Sequence, residues 1–132
     1  MRPRAYIIGP ITGIPDGNRP AFEIARQLLR RRGYLPIVPL DLTRDIVAAY
    51  RCPAMVWCLA MLRTRPVLLS ADVVYLLPDW YRSRGACDEW RRATEAGIEL
   101  REITEDELAS ATTSSASAGT RRAQAPAGDS DS

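Results

Sequence analysis

The chain has 132 residues, a formal net charge of +2, 46% hydrophobic residues and 26% charged residues. That length suits one domain with a core large enough to need no staples, and a near-neutral charge balance argues against a polymeric nucleic-acid partner, which calls for a basic face. With no histidine and three irregularly spaced cysteines, Cys52, Cys58 and Cys87, the Ser-His-Asp and Cys-His schemes are excluded, a zinc site lacks ligands, and a reducing compartment is expected.

Any chemistry must therefore come from carboxylates, hydroxyls and arginines, with no metal or organic cofactor expected. The opening MRPRAYIIGP has too short an apolar run for a signal peptide. No stretch approaches the length of a membrane span. A cytoplasmic protein without membrane contact is the expectation.

Ala5–Ile8 is an apolar run closed by Gly9-Pro10 and reads as a buried first strand. The next ten residues, GPITGIPDGN, carry three glycines and two prolines, which only a loop tolerates. A helix follows, with Asn18 as N-cap and Pro20 in its first turn. Its apolar side is Phe22, Ala25, Leu28 and Leu29, with Arg32 on the same side, and Gly33 stops it. The Arg30–Arg32 run suits the helix C-terminus by its dipole.

Tyr34–Val38 is a second strand, and Pro36 within it indicates an edge or an early position. Between 39 and 65, helical stretches are expected at Ala48–Tyr50 and Met55–Leu62, split by Pro53, with a separate short helix beginning at Pro66. Asp72–Leu77 is the strongest strand signal, apolar throughout after Asp72, as in a strand covered on both faces. After the loop PDWYRSRG, a helix runs from about Ala86 to Ala96, with Ala86, Trp90 and Ala93 as its buried side. Ile98–Ile103 is a last strand, and Thr104 with Glu107 forms a capping box for a short terminal helix.

Two segments follow from this pattern. Residues 1–108 form an α/β domain with a parallel sheet of about four to five strands and right-handed crossovers. Residues 109–132, rich in Ser, Ala and Thr without a large apolar residue past the boundary, are expected to be a disordered tail, or alternatively a docking peptide. In parallel α/β sheets ligands bind outside the C-terminal strand ends. The loops Gly9–Asn18 and Pro78–Gly85 fall there and should face one crevice.

The second loop runs into a helix N-terminus, where free amides and the Ser83 hydroxyl make an anion site. Glu89, expected in the first helical turn, would be kept ionised by the dipole and placed to attack the anomeric carbon of a bound sugar. Asp79 and Gly85 belong to the same loop, and Trp80 and Tyr81 suit stacking on a base or sugar. The plainer alternative is that Asp88 and Glu89 are simply acids at a helix start. In the first loop Gly9 and Gly13 allow close backbone approach, Thr12 offers a hydroxyl, and Arg19 sits near the helix start. A plain strand-to-helix loop fits equally well, since neither a dinucleotide fingerprint nor a P-loop is present. Asp72 either orients a catalytic group or caps the preceding turn. Cys87 reads as packing.

YIIGPITGIPDGNRPAF, ADVVYLLPDW and SRGACDEWRRA together resemble an uncharacterised domain-of-unknown-function family related to nucleoside 2-deoxyribosyltransferases and nucleoside 5′-monophosphate N-glycosidases. The likeness covers residue 5 to about 103. It implies a small Rossmann-like (flavodoxin-like) three-layer fold, a homodimer or larger homo-oligomer, and cleavage of the N-glycosidic bond of a nucleoside or its monophosphate through a covalent glycosyl-enzyme intermediate. In that likeness Glu89 matches the nucleophile, Ser83 the serine that holds the 5′-phosphate, and Gly9, Ile11 and Thr12 the loop lining the sugar–phosphate pocket. Two departures stand out. The superfamily's second carboxylate falls near Thr64 here, with no acid between Asp45 and Asp72, and Asp79 replaces a usual glycine. Either Asp72, Asp79 or Asp88 substitutes for that acid, or turnover is slow, or the domain only binds nucleotides.

Overall fold

The computed structural model describes residues 1–116. Four strands, β1 (Arg4–Ile8), β2 (Leu35–Ile37), β3 (Val73–Leu76) and β4 (Glu99–Glu102), form one parallel sheet in the order β2-β1-β3-β4. Tyr6 is in register with Ile37 on one side and Val74 on the other, and Val74 with Leu100. The helices are α1 (Arg19–Arg31), α2 (Pro39–Leu42), α3 (Arg44–Ala49), α4 (Pro53–Leu69), α5 (Arg84–Glu95) and α6 (Glu105–Ala116).

Alternation along the strands builds the three layers. Ala5, Ile7, Val73 and Tyr75 point to one face and pack with Phe22, Ala25 and Leu29 of α1. Tyr6, Ile8, Val74 and Leu76 point to the other and pack with Leu68 of α4 and with Ala86 and Ala93 of α5. β1 and β3 are covered on both sides, which is why they read as unbroken apolar runs. β2 takes the edge, where the missing N–H of Pro36 disturbs no inner ladder. The small Rossmann-like arrangement is thus present with four strands. The chain goes outward from β1 to β2 and then returns to β3 on the other side of β1. The loops after β1 and β3 flank that switch point.

Several local expectations are corrected. Asn18 is left-handed (φ 63°) and its side chain caps nothing, because the chain enters α1 from a turn in which Asp16 and Gly17 are also left-handed. Pro53 opens α4, but Pro66 lies inside that same 17-residue helix rather than starting a new one. Only one turn follows Pro66, and fully buried Leu68 anchors that turn to the sheet, so tertiary packing outweighs the lost hydrogen bond.

On α5 the buried stripe is Ala86, Glu89 and Ala93. Trp90 instead lies at the rim, 36% exposed and stacked on Trp80 at 5.5 Å. The Thr104–Glu107 capping box is formed in both directions, at 2.9 and 3.1 Å. α6 then continues past residue 108 to Ala116, because Ala111 is buried where α6 lies along α1 and Arg32 pairs with Glu107 at 2.5 Å. The remainder of the expected tail, residues 117–132, lies outside the described residues. Among the described residues no helix is long and apolar enough to cross a membrane.

Candidate functional site

A pocket of about 220 Å³ opens at the C-terminal ends of β1 and β3. Its floor is Gly9, Ile11 and Thr12 from the first loop, and Ser83, Gly85, Ala86 and Glu89 from the start of α5. The two loops expected to share a crevice therefore do. The roof comes from the middle segment: Leu40 and Thr43 around α2, Val47 of α3, and Val56, Trp57, Ala60 and Thr64 along one side of α4. A mostly apolar lining with a few converging polar groups is the usual character of a small-molecule site.

The two glycines have steric reasons. A Cβ on Gly9 would fall 2.6 Å from Leu77 Cδ1 and 3.0 Å from Leu77 Cβ, so only glycine lets the chain leave β1 this close to the end of β3. A Cβ on Gly85 would come 3.4 Å from Trp57 Nε1, so glycine lets the α5 N-terminus approach α4 closely. Ser83 is the N-cap of α5, and its Oγ accepts from the Ala86 N–H at 3.3 Å.

Among the described residues Glu89 is the one ionisable group lining this pocket. It lies in the second turn of α5, only 5% exposed, and accepts a 2.5 Å hydrogen bond on Oε2 from the Tyr6 hydroxyl. Dipole effects fade beyond the first turn. Desolvation therefore prevails, contrary to the expectation of a fully ionised group. Burial pushes the Glu89 carboxyl up from the ordinary 4.5 to about 7, against the opposing pull of the Tyr6 and Thr64 hydroxyls, and Asp88 adds a small push upward. Burial and the Glu89 charge hold the Tyr6 phenol well above its usual range, so Tyr6 stays a neutral donor. Thr64, at the position where the resemblance implies an acid, is 2% exposed. Its hydroxyl is near enough to favour charge on Glu89, yet it makes no hydrogen bond of good geometry, and Trp57 Nε1 is likewise buried without a partner.

A family model matches residues 3–102, from the first strand through the last. The chain belongs to the DUF4406 family, a domain of unknown function. No curated protein matches the sequence. All the pocket residues lie within the matched span, and α6 lies beyond it.

Of the residues singled out in the sequence, Gly9, Ile11, Thr12, Ser83, Gly85 and Glu89 converge on the pocket, and the others do not line it. Asp72 sits just before β3, at the opposite end of the sheet, where its carboxylate accepts the Arg4 N–H at 2.7 Å. There it ties the starts of the two inner strands β1 and β3 together, away from the pocket. Arg19 faces Asp16 at 3.9 Å at the start of α1. Asp79 is left-handed (φ 64°) and accepts from the Tyr81 hydroxyl at 3.3 Å. Trp80 belongs to a neighbouring surface groove with Trp57 and Trp90. Asp88 is held by Arg91 at 2.8 Å and Arg92 at 3.0 Å.

The sequence reading missed Tyr6 and Trp57, and named Thr64 only as the position where the resemblance implies an acid. Tyr6 had a signal: a tyrosine in a strand covered on both faces needs a partner for its hydroxyl. Trp57 had none, because only the path of α4 over the strand ends brings it to the pocket. Among the described residues no group of three or more metal-ligating side chains converges.

Proposed function

We propose that the pocket cleaves the N-glycosidic bond of a nucleoside or nucleoside 5′-monophosphate, with Glu89 as nucleophile. The observation that carries this reading is a single buried carboxylate, held by Tyr6, facing a small and largely apolar pocket. The resemblance of the three sequence motifs to an uncharacterised family related to nucleoside 2-deoxyribosyltransferases supports the reaction class. In the step proposed, a Glu89 oxygen bonds to the anomeric carbon as the carbon–nitrogen bond breaks. The base leaves with the bonding pair and gains a proton from solvent. Water, or a second base in a transfer reaction, then displaces the carboxylate from the sugar. An oxocarbenium-like transition state is stabilised by an adjacent carboxylate.

Among the described residues no arginine or lysine lines the pocket, so an anionic group there would meet hydroxyls such as those of Ser83 and Thr12 and the α5 N-terminus. A nucleoside and its monophosphate are therefore both candidate substrates. A second reading, a nucleotide-binding module without turnover, is favoured by one observation: among the described residues no second carboxylate lines the pocket to protonate the leaving base.

The test is release of free base from nucleosides, deoxynucleosides and their 5′-monophosphates, followed by chromatography, with Glu89→Ala in parallel. Release that is lost in the variant, and that climbs with pH through about 7 as Glu89 ionises, is the expected result. No release from any substrate, by a protein whose melting temperature still rises with a nucleotide, would leave the binding module.

A further inference from the structure

The lining of the pocket sorts into groups that can carry charge and groups that cannot. Among the described residues Glu89 alone can ionise there. The other polar side chains are Thr12, Thr43, Thr64, Ser83 and the Trp57 indole, alcohols and an N–H that keep their protons throughout the pH range of a folded protein. Tyr6, whose hydroxyl donates to Glu89, is held well above the usual phenol range by its burial and by the Glu89 charge, so it gives up no proton either. The charged residues on either side in the chain turn away. Arg84, between Ser83 and Gly85, lies over the Trp57 ring at 4.1 Å, and Asp88 is held by Arg91 and Arg92. Both line the neighbouring groove rather than the pocket.

We propose that the substrate is an N-glycoside whose base is a positively charged heteroaromatic ring, a pyridinium or N7-alkylated purine nucleoside, and that the base departs as a neutral molecule.

This names the substrate class of the glycosidase reading and rests on that reading. A neutral base leaves as an anion unless a donor protonates it, and general acid help of that kind contributes about 10²–10⁴-fold. A quaternised base needs none. As a Glu89 oxygen bonds to the anomeric carbon, the carbon–nitrogen bonding pair passes to the ring nitrogen and cancels its positive charge. The carboxylate becomes a neutral ester in the same step. Water then displaces the carboxylate from the sugar and releases one proton to solvent. Two opposite charges disappear together, which an apolar, low-dielectric cavity favours. Moving a lone negative charge onto a neutral base instead leaves an anion with only hydroxyls and the indole to solvate it. The bound state fits as well. Among the described residues no arginine or lysine lines the pocket, so a cationic ring supplies the counter-charge that buried Glu89 lacks and favours the ionised form that attacks. The missing second carboxylate counts against turnover of a neutral nucleoside, and a cationic one has no use for it.

The experiment follows base release by the full chain from matched ribosides: N7-methylguanosine against guanosine, and the riboside of nicotinamide against that of its neutral dihydro form. Each is run with its 5′-monophosphate and corrected for spontaneous release, with Glu89→Gln in parallel. In whichever pair is cleaved, the cationic member is expected to exceed the neutral one in kcat/KM by at least about a hundredfold, the contribution of the missing acid. Its kcat/KM is expected to rise as Glu89 ionises and then stay level to about pH 9, because no acid has to remain protonated. Release is expected to be lost in Glu89→Gln. A smaller preference, or a fall in kcat/KM on the alkaline side, overturns the cationic class and leaves Glu89 as the nucleophile of a glycosidase. Release from neither cationic riboside nor its monophosphate overturns it too. The glycosidase reading falls with it only if the wider panel of nucleosides and nucleotides also gives no release. Release that survives Glu89→Gln overturns both.

Discussion

The raised pKa of Glu89 makes the stability of this protein depend on pH in a way that can be worked out and measured. The unfolded chain releases the Glu89 proton near 4.5, and the folded chain releases it only near 7. Between those values the folded state holds a proton that the unfolded state has lost, so raising the pH favours unfolding. The contribution is fully present below 4.5, falls through the window, and is gone above 7, a change of about 3 kcal/mol at 1.36 kcal/mol per pKa unit. Glu89→Gln keeps the shape and an acceptor for the Tyr6 hydroxyl but removes the titration. The stability of the wild type minus that of the variant, from urea unfolding at one fixed protein concentration, should therefore decline by about 3 kcal/mol between pH 4.5 and 8. The chain has no histidine to add a transition of its own, and groups common to both proteins cancel in the difference. A difference that stays flat across the window would refute the reasoning and mean that Glu89 is solvated in the folded protein.

Two further outcomes follow from the same geometry. Tyr6→Phe removes the donor to Glu89 Oε2; a hydrogen bond to a charged group is worth about 1.5–3 kcal/mol, so the Glu89 transition in the same pH series should move up by roughly one to two units, and an unmoved midpoint would show that the bond does not discriminate between charge states. Gly9→Ala forces a Cβ into Leu77 and should lower stability by about 1–3 kcal/mol, the usual cost of overpacking; an unchanged urea midpoint contradicts that.

Much of the fold was legible because local signals and tertiary demands agreed. AYII and DVVYLL are apolar without alternation because β1 and β3 are covered on both faces, and Pro36 marked an edge because a proline cannot donate to an inner ladder. Thr104 and Glu107 signalled a helix start through contacts only three residues apart. The glycines of the first loop and the Ser83 helix start placed most of the pocket floor, since strand-to-helix loops in parallel sheets open on one side.

What the sequence could not settle were matters of environment and of long-range path. The continuity of α4 through Pro66 depends on Leu68 reaching the sheet, and the extension of α6 depends on Ala111 meeting α1. Asp72 and Glu89 are both carboxylates near strands, and only the threading of the chain separates the tie between β1 and β3 at their N-terminal ends from the buried group at the C-terminal ends. The sequence supplied Glu89 and its position on a helix. The tertiary structure turned it inward beneath α4 and beside Tyr6, and that removal from water fixes its charge state.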